Sequence, residues 1–367
     1  MKFICERGLL LKEIGIAQDV IQSRNAISIL SNIYLEARDE TLVIKSTDMK
    51  VYFNTKIPVS VLEDGSTTVF GEKFLHYLSN IPEGEVEFYQ HDSKIEVKTL
   101  AKKSVLSLKS MASDKFPEFS EPSEEDFFEI PVKNFKEMIN HTVFAISDDE
   151  TRYFMNGALF EKQGTKLVMV ATDGRRLAYI DHDVEAAVKD FSGVIIPSRI
   201  LGMIYKQSGD EGLITISITD KKIFFRIGLY QFSSVLIEGQ FPNYRRVIPE
   251  SQVHIFTMSR LDVLDALKRV SDMVERKSGR VYLGVSSAGV KLSSEENDLG
   301  TLDEEIPCVY EGDEVSIALN YRYLEEPFKA MAEDEVSVHF SDPAKAITIK
   351  PVPEKNFFHI VMPMQVD

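Results

Sequence analysis

Leu167-Val168-Met169-Val170-Ala171-Thr172-Asp173 is an apolar stretch that ends in a Thr-Asp pair, and it has a counterpart in each of the other two thirds of the chain. Leu42-Val43-Ile44 precedes Thr47-Asp48, and Val290-Lys291-Leu292 precedes Ser294-Glu295. The three pairs begin at positions 47, 172 and 294, so they lie 125 and 122 positions apart. This regular spacing indicates that one structural unit occurs three times.

A second series of landmarks recurs in the same order near the end of each unit. Phe116-Pro117, Phe241-Pro242 and Met362-Pro363 are separated by 125 and 121 positions. Units of this length have the usual size of an independent domain, and three of them fill the 367 residues. We predict one boundary at 118–126, where Ser, Pro, Glu and Asp cluster without periodicity, and another near 249–252. We therefore predict three domains, at 1–122, 127–250 and 253–367.

Each unit carries two helix patterns among alternating strand patterns. The second helix is predicted at 73–78, 198–204 and 321–331, with Asn320 as an N-cap and Pro327 kinking or shortening the last one. Alternation at 85–88, 213–218 and 335–340 is typical of half-buried strands. The fold class is therefore α+β, with two helices packed on antiparallel sheets in each domain. Apolar residues three or four positions apart predict the first helix of each unit: Leu10, Ile14, Ala17 and Ile21; Phe135, Ile139, Val143 and Ile146; Leu261, Leu264, Leu267 and Val270.

Composition is that of an ordinary soluble protein. Hydrophobic residues make up 44% of the chain, and no apolar run is long enough to cross a bilayer. The first residues lack the sustained apolar stretch of a secretory signal. The two cysteines, Cys5 and Cys308, are too few and too distant for a disulfide framework. We expect a cytoplasmic protein.

The net charge of −16 argues at first against nucleic acid as a partner. Acidic residues crowd loops such as 118–126 and 181–185, whereas basic residues collect on predicted helices and at their ends. If these helices shared one side, that side would be basic on an acidic body; the alternative is a set of ordinary solvated helix faces. The basic residues concerned are Lys12, Arg24, Lys73, Lys133, Lys136, Arg199, Lys206, Lys268, Arg269, Arg276, Lys277, Arg280 and Arg322.

Catalytic signatures are missing from the sequence. It contains no nucleophile elbow, phosphate-cradling loop, dinucleotide fingerprint or Cys-x-x-Cys pair, and its seven histidines are scattered. The acidic turns 148–150 and 181–183 are more typical of solvated loops than of cation sites. We therefore expect no catalytic residue, no metal and no cofactor, although an enzyme site assembled from distant residues stays an alternative.

Four motifs in order carry a family resemblance. They are Arg152-Tyr153-Phe154-Met155-Asn156-Gly157, the segments 171–178 and 241–249, and the C-terminal Val361-Met362-Pro363-Met364. These motifs resemble the bacterial DNA polymerase III beta subunit, the replicative sliding clamp, over the whole chain. The resemblance implies three clamp domains in a crescent-shaped protomer. Two protomers would pair head to tail into a ring around duplex DNA, with helices lining the hole.

What the resemblance implies about partners is specific. The ring would hold double-stranded DNA without reading its sequence, and would act as a non-catalytic processivity subunit. A groove would tether the DNA polymerase III alpha subunit, the clamp loader, and other polymerases and repair proteins through short peptides. No membrane partner is expected. A scaffold that uses the groove without binding nucleic acid is the other open alternative.

The resemblance also assigns residues to DNA. Arg24 and Lys73 would meet phosphates, and Tyr153 and Phe154 would form an aromatic step against the duplex or a single strand. Well-known members have Arg and Tyr at the positions of Lys73 and Phe154. Loss of the guanidinium fork and of the hydroxyl is expected to loosen these contacts.

The peptide groove is assigned in the same way. Methionines suit a pocket that accepts varied apolar side chains, because the thioether chain repacks easily. From the residues alone, Thr172-Asp173-Gly174 predicts a turn with positive φ at Gly174 that shapes a wall; the alternative is a plain hairpin, since Thr47-Asp48-Met49 lacks the glycine. The groove residues implied are Arg152, Met155, Thr172, Gly174, Arg175, Leu177, Pro242, Arg246, Val247, Asn320, Tyr323, Ile360, Met362, Pro363 and Met364.

The subunit interface implied by the resemblance sets Leu106 and Leu108 against Asp272 and Met273 of a second copy. Asp272 stands where the family commonly has an apolar residue. We therefore expect ring closure to depend on ion pairs, with Lys102 or Lys103 as candidates, and to be salt-sensitive.

Overall fold

The computed structural model describes residues 1–21, 28–100, 104–184, 188–275 and 277–365. No helix in these ranges is long and apolar enough to span a membrane. The same part of the chain forms six α-helices: α1 (Arg7–Val20), α2 (Gly71–Asn80), α3 (Val132–Thr142), α4 (Ser198–Gln207), α5 (Arg260–Ser271) and α6 (Tyr321–Ala330).

The strands pair antiparallel throughout. The first thirteen are β1 (Lys2–Glu6), β2 (Asn32–Arg38), β3 (Thr41–Thr47), β4 (Val51–Pro58), β5 (Ser60–Glu63), β6 (Gly65–Phe70), β7 (Glu85–His91), β8 (Lys94–Thr99), β9 (Val105–Lys109), β10 (Phe127–Pro131), β11 (Gly157–Gln163), β12 (Lys166–Thr172) and β13 (Arg176–Asp183). The others are β14 (Val194–Pro197), β15 (Leu213–Ile218), β16 (Lys222–Ile227), β17 (Tyr230–Val235), β18 (His254–Ser259), β19 (Arg280–Ser286), β20 (Gly289–Ser294), β21 (Asp303–Ile306), β22 (Cys308–Val309), β23 (Val315–Asn320), β24 (Glu335–Phe340), β25 (Ile347–Val352) and β26 (Phe357–Val361).

The threefold repeat is visible in the order of elements. In each third, one helix follows directly on a strand (β1 to α1, β10 to α3, β18 to α5) and the second helix follows another (β6 to α2, β14 to α4, β23 to α6). The two helices of each third pack on each other. The α+β class with two helices per repeat, predicted from periodicity, is confirmed.

The helix prediction is wrong at the end of α3. α3 ends at Thr142, where the hydroxyl donates to the Met138 carbonyl (2.7 Å) and a short 3-10 turn follows, so Val143 and Ile146 lie beyond the helix. α5 contains all four predicted positions; Leu261 is exposed, and the buried residues begin at Val263. The N-cap is confirmed, since Asn320 accepts a hydrogen bond from the Arg322 amide (3.0 Å). α6 continues through Pro327 to Ala330.

The described chain forms two compact units. The first contains residues 1–131 and 212–236. It holds a five-stranded sheet in the order β5-β1-β7-β8-β9 and an eight-stranded sheet in the order β10-β15-β16-β17-β4-β3-β2-β6. Phe3, Phe53, Phe74 and Phe88 are fully buried in its core, and α1 packs against β3 and β4.

The second unit contains residues 132–211 and 237–367. A nine-stranded sheet runs β14-β11-β12-β13-β26-β25-β24-β18-β22, and a four-stranded sheet runs β21-β20-β19-β23. α3 packs against β12 and β13, and α5 packs against β20 and β21.

Neighbouring repeats share sheets. β4 of the first repeat pairs with β17 of the second, and β13 of the second pairs with β26 of the third. Each junction replaces two exposed strand edges with backbone hydrogen bonds. Adjoining repeats are therefore joined by continuous sheet, and residues far apart in sequence face each other at the β13–β26 junction.

Candidate functional site

The Thr172-Asp173 pair closes the turn between β12 and β13. The Thr172 hydroxyl donates to the Arg176 carbonyl (2.5 Å) and accepts from the Gly174 amide (3.1 Å), while Asp173 Oδ1 accepts from the Arg175 and Arg176 amides (2.8 and 3.0 Å). Gly174 has φ +86°, as predicted. A Cβ at this position would lie 2.9 Å from Arg152 Nη1. Glycine is therefore favoured in this turn for two reasons, backbone conformation and the approach of Arg152.

The first repeat builds the same turn without glycine. The Thr47 hydroxyl donates to the Val51 carbonyl (2.8 Å) and accepts from the Met49 amide (2.9 Å), and Asp48 Oδ1 accepts from the Val51 amide (2.7 Å). Met49 takes φ +73°. In the third repeat Ser294 instead accepts from the Leu302 amide (3.0 Å). The turn is thus a shared device of the first two repeats and is not by itself the mark of a binding site.

The β13–β26 junction brings predicted groove residues together. Leu177 lies opposite Thr172 on one side and opposite Ile360 on the other. The chain then leaves β26, and the Met362 amide donates to the Arg175 carbonyl (2.9 Å). Two residues on, the Met364 amide donates to the Ala318 carbonyl (2.8 Å). The C-terminal segment is thereby held between the 173–175 turn and β23.

An apolar floor underlies this junction. Leu177 and Ile360 are buried in one cluster with Leu159, Val168, Val170 and Tyr244. Val247 precedes Ile248, which packs on this cluster, and Met362 follows Ile360 by two residues; their side chains are 49% and 42% exposed. Val247 and Arg246 project from a 3-10 turn, Tyr244–Val247, which follows Phe241-Pro242 and is anchored by buried Tyr244. Exposed apolar side chains over a rigid apolar floor are suited to binding apolar side chains of a partner.

Arg176 organises the opposite wall, and the sequence reasoning did not identify it as a site residue. Its guanidinium carbon lies 4.6 Å from the Tyr323 ring centroid, and its Nε lies 3.0 Å from Asp173 Oδ2. Arg176 also forms an ion pair with Glu326 and donates to the Phe144 carbonyl (2.5 Å). One side chain therefore ties the turn to α6, which begins after Asn320 and carries Tyr323. The only sequence signal was its place in the motif 171–178.

Arg152 and Met155 lie on the 3-10 segment Glu150–Met155. Arg152 Nε is 2.9 Å from Asp149 Oδ2, and the hydrogen bonds from Thr151 and Arg152 lower the pKa of Asp149. This pairing fixes Arg152 beside Gly174. Met155 is only 4% exposed, so its side chain is part of the core in this state.

Of the residues assigned to DNA, the structure describes Lys73, Tyr153 and Phe154. Lys73 on α2 has a side chain that is 60% exposed, with Nζ 3.2 Å from Glu72. Tyr153 is 54% exposed, and its ring meets that of Phe154 edge-on at 5.8 Å. Arg24 lies outside the described residues.

The residues assigned to the subunit interface lie on an edge strand and just after a helix. Leu106 and Leu108 are half-buried on β9, which is an edge strand of the five-stranded sheet. Asp272 is exposed after the last turn of α5, and the carbonyl of Met273 accepts from Asn297 Nδ2 (2.8 Å). Lys102 and Lys103 lie outside the described residues.

The predicted acidic turns have structural roles, and 181–183 is the end of strand β13 rather than a turn. Asp149 caps the Glu150–Met155 segment, and Asp181 Oδ1 lies 2.8 Å from Lys166 Nζ. Within the ranges that the structure describes, no group of three or more His, Cys, Asp or Glu side chains could hold a metal ion.

Comparison with known proteins gives one consistent answer. Sequence models of the DNA polymerase III beta subunit match in three parts, the N-terminal domain at residues 1–120, the central domain at 129–243 and the C-terminal domain at 245–365. The beta sliding clamp of Treponema pallidum (strain Nichols) is 44% identical over 371 residues, with all of both chains covered. The crystal structure of the sliding clamp of Bartonella birtlesii bound to griselimycin superposes with a TM-score of 0.94 at 27% identity, again over all of both chains. That of Bacillus subtilis has a TM-score of 0.95 at 23% identity over the same coverage, and supports the fold.

Proposed function

The chain belongs to the DNA polymerase III beta subunit family, and we propose that it is the replicative sliding clamp of its cell. Two copies close into a ring around duplex DNA, and the ring tethers DNA polymerase III and other replication and repair proteins. Membership rests on three domain matches in order and on a full-length relative at 44% identity. The tethering of partners is what makes synthesis processive.

The observation that carries the proposal is the segregation of charge onto the helices. The six α-helices contain twelve Lys and Arg against eight Asp and Glu, a net of +4, in a chain whose net charge is −16. The rest of the chain therefore carries −20. Basic helices suit the lining of a hole that holds DNA, and an acidic remainder repels DNA from other surfaces.

A weak basic lining fits a ring that must slide. Retention comes from threading, so strong neutralisation of phosphates would only slow movement along the duplex. Exposed Lys73 offers one salt-dependent phosphate contact, and exposed Tyr153 with Phe154 offers a stacking surface that tolerates any base. None of these side chains provides the bidentate base contact that sequence reading needs.

Ring closure is proposed to join unlike ends of two copies. β9 ends one sheet and β21 ends another, so each offers a row of unpaired backbone groups. A head-to-tail contact uses two different surfaces and closes into a ring only when the rotation between copies allows it. Leu106 and Leu108 of one copy would meet the Asp272 and Met273 region of its partner.

The groove at the β13–β26 junction is proposed as the tethering site. Its floor is Leu177 and Ile360, and its exposed apolar rim includes Val247 and Met362. Arg152 and Arg246 are placed to hold carbonyl or acidic groups of a bound peptide. Polymerase III alpha subunit, clamp loader and repair proteins would share this one site.

The chain itself is proposed to be non-catalytic and cytoplasmic, as expected for a protein that works on the bacterial chromosome. Its contribution to the polymerase holoenzyme is positional. Incorporation or removal of nucleotides by the highly purified chain alone would overturn this part of the proposal.

Primer extension on a long single-stranded template tests the function. Polymerase III core and the clamp loader are supplied with ATP, with or without this chain, and excess unlabelled trap DNA limits synthesis to one binding event. The proposal predicts products of thousands of nucleotides only when the chain is present, and Met362→Glu should shorten them by placing a charge in the groove. Products of equal length with and without the chain would refute it.

A further inference from the structure

The sheet face that forms the groove floor continues beyond it. Tyr179 lies directly opposite Phe358 across the β13–β26 junction, two residues from the Leu177–Ile360 pair on the same face. Two residues of strand correspond to about 7 Å. The rings of Tyr179 and Phe358 stack with centroids 4.8 Å apart at 15°. An aromatic floor therefore adjoins the aliphatic floor of the groove.

This aromatic pair lines a cavity of about 440 Å³. Three basic side chains, Lys166, Arg245 and Lys355, line it with a single carboxylate, that of Asp181. The basic side chains are half-exposed, whereas Asp181 is nearly covered. The lining side chains thus sum to a charge of +2, and the carboxylates of Glu161 and Glu333, outside the lining, pair with Arg245 and Lys355. A site of this composition favours an acidic ligand that also carries an aromatic or apolar group.

One short turn serves both the groove and the cavity. Arg246 and Val247 belong to the predicted groove, whereas Arg245 and Tyr244 line the cavity. The Arg245 guanidinium lies 4.8 Å from the Tyr244 ring centroid and 3.0 Å from Glu161 Oε1. Tyr244 packs in the same apolar cluster as Leu177 and Ile360. The two sites are therefore built on one rigid support.

The basic groups keep donors for a ligand. Lys166 pairs with Asp181 (2.8 Å) and Lys355 pairs with Glu333, yet an ammonium has three N–H donors and a guanidinium five. Because half of each side chain faces solvent, an arriving carboxylate can add a hydrogen bond without breaking the existing pair.

We propose that this cavity is a second contact site for groove-bound peptides, and that it takes an acidic segment with an aromatic or apolar side chain next to the groove-binding residues. The inference rests on the proposed function, since it presumes that the groove binds peptides. Charge complementarity and the continuous sheet face single out this occupant. The cavity distinguishes among partners that share the groove, because only those with an acidic flank gain from it.

Peptides with altered flanks test the inference. A fluorescein-labelled peptide from the clamp-binding segment of the polymerase III alpha subunit is extended by Glu-Glu-Phe, Lys-Lys-Phe or Gly-Gly-Gly, at each end in turn. Anisotropy titration should show about fivefold tighter binding for the acidic extension at one end than for the glycine extension, since a partly exposed charged hydrogen bond contributes on this scale. The lysine extension should bind no tighter than glycine.

Adjacent arginines provide the matched variants. Arg245→Gln should remove most of the gain from the acidic extension while the unextended peptide keeps its affinity, and Phe358→Ala should reduce the contribution of the terminal Phe. Lys329→Gln, on α6, removes one positive charge elsewhere. It should change neither the gain in affinity from the acidic extension nor the contribution of the terminal Phe. Arg246→Gln should weaken all peptides alike. The second site is overturned if the acidic extension does not raise peptide affinity, or if the rise in affinity survives Arg245→Gln. If no peptide binds at all, the proposal of the groove is overturned instead.

Discussion

Leu177 and Ile360 face each other directly across the β13–β26 pair, although 183 positions separate them in the sequence. Each comes from a different repeat, and both are buried in one apolar cluster. The floor of the proposed groove therefore exists only when the second and third repeats share a sheet. Stability of that junction and affinity for peptides are expected to change together.

Gly174→Ala should destabilise the protein by about 2 kcal/mol, because alanine is strained at φ +86° and its Cβ would meet Arg152 at 2.9 Å. Gly164→Ala is the matched control, since Gly164 has φ +58° and no atom near its would-be Cβ. It should cost about 1 kcal/mol, from backbone strain alone. Urea unfolding measures both. Only Gly174→Ala should weaken peptide binding, and equal effects of the two variants on affinity would contradict a role for Arg152.

Arg176→Ala should cost about 3 kcal/mol, because it leaves Asp173 and Glu326 without their shared partner at a nearly buried site. It should also weaken peptide binding, since Tyr323 loses the guanidinium that packs on its ring. Arg175→Ala, at the exposed neighbouring position, should change stability by less than about 0.5 kcal/mol. Urea unfolding measures the stability of each variant, and anisotropy titration measures its affinity for the peptide. Tight peptide binding by a folded Arg176→Ala variant would contradict the organising role.

Mild acid should destabilise the second unit. Burial lowers the pKa of His141 to about 4 and lowers that of fully buried His359 well below its usual 6.5. The rings face Phe357, Phe144, Glu137, Glu333, Lys355, His182 and Arg176.

The direction of the effect follows from proton uptake. Below pH 6.5 the unfolded chain protonates these histidines while the folded chain does not, so the unfolded state binds more protons and stability falls with falling pH. Each histidine contributes up to about 1.4 kcal/mol per pH unit between 6.5 and its folded pKa. Urea midpoints at pH 8, 6 and 5 measure the slope. His359→Leu should reduce it, and a slope unchanged by that variant would exclude His359 as a cause.

Lys73→Glu should lower the efficiency of loading onto nicked circles at low salt and reduce the salt dependence of loading by about one unit of slope, as removal of one phosphate contact does. Lys56→Glu introduces the same charge change at an exposed position on β4, outside the basic helices. Loading on nicked circles at several salt concentrations compares the two. Identical behaviour of both variants would show that Lys73 has no particular contact with DNA.

Local patterns predicted much of the fold. Apolar spacing placed the two helices of each repeat, and landmark spacing revealed the triplication. The shared sheets could not be predicted, because pairing of β4 with β17 and of β13 with β26 depends on strand edges far apart in sequence. Exposed Leu261 in α5 has a related cause, because tertiary packing, rather than apolar character, decides which residues of a helix are buried.

Some residues of the candidate site could likewise be predicted from the sequence, and others could not. Gly174 could be predicted from Thr172-Asp173-Gly174, since that turn chemistry is local. Met49, at φ +73° in the equivalent turn, shows that glycine is favoured there rather than required. Arg176 could not be identified from sequence, because its importance lies in contacts with Tyr323 and Glu326, about 150 positions away. The cavity beside Tyr179 likewise arises only from the β13–β26 junction.

Topological retention on DNA is the central claim, and a comparison of closed and cut DNA tests it most directly. The protein is loaded by the clamp loader onto nicked circular DNA, freed of loader by gel filtration, and followed after a restriction enzyme makes one double-strand cut. A threaded ring should remain on the uncut circle for many minutes and leave the linear product rapidly over its free ends. Equal retention on circle and linear product would contradict the account, because it would show binding to the DNA surface instead of encirclement.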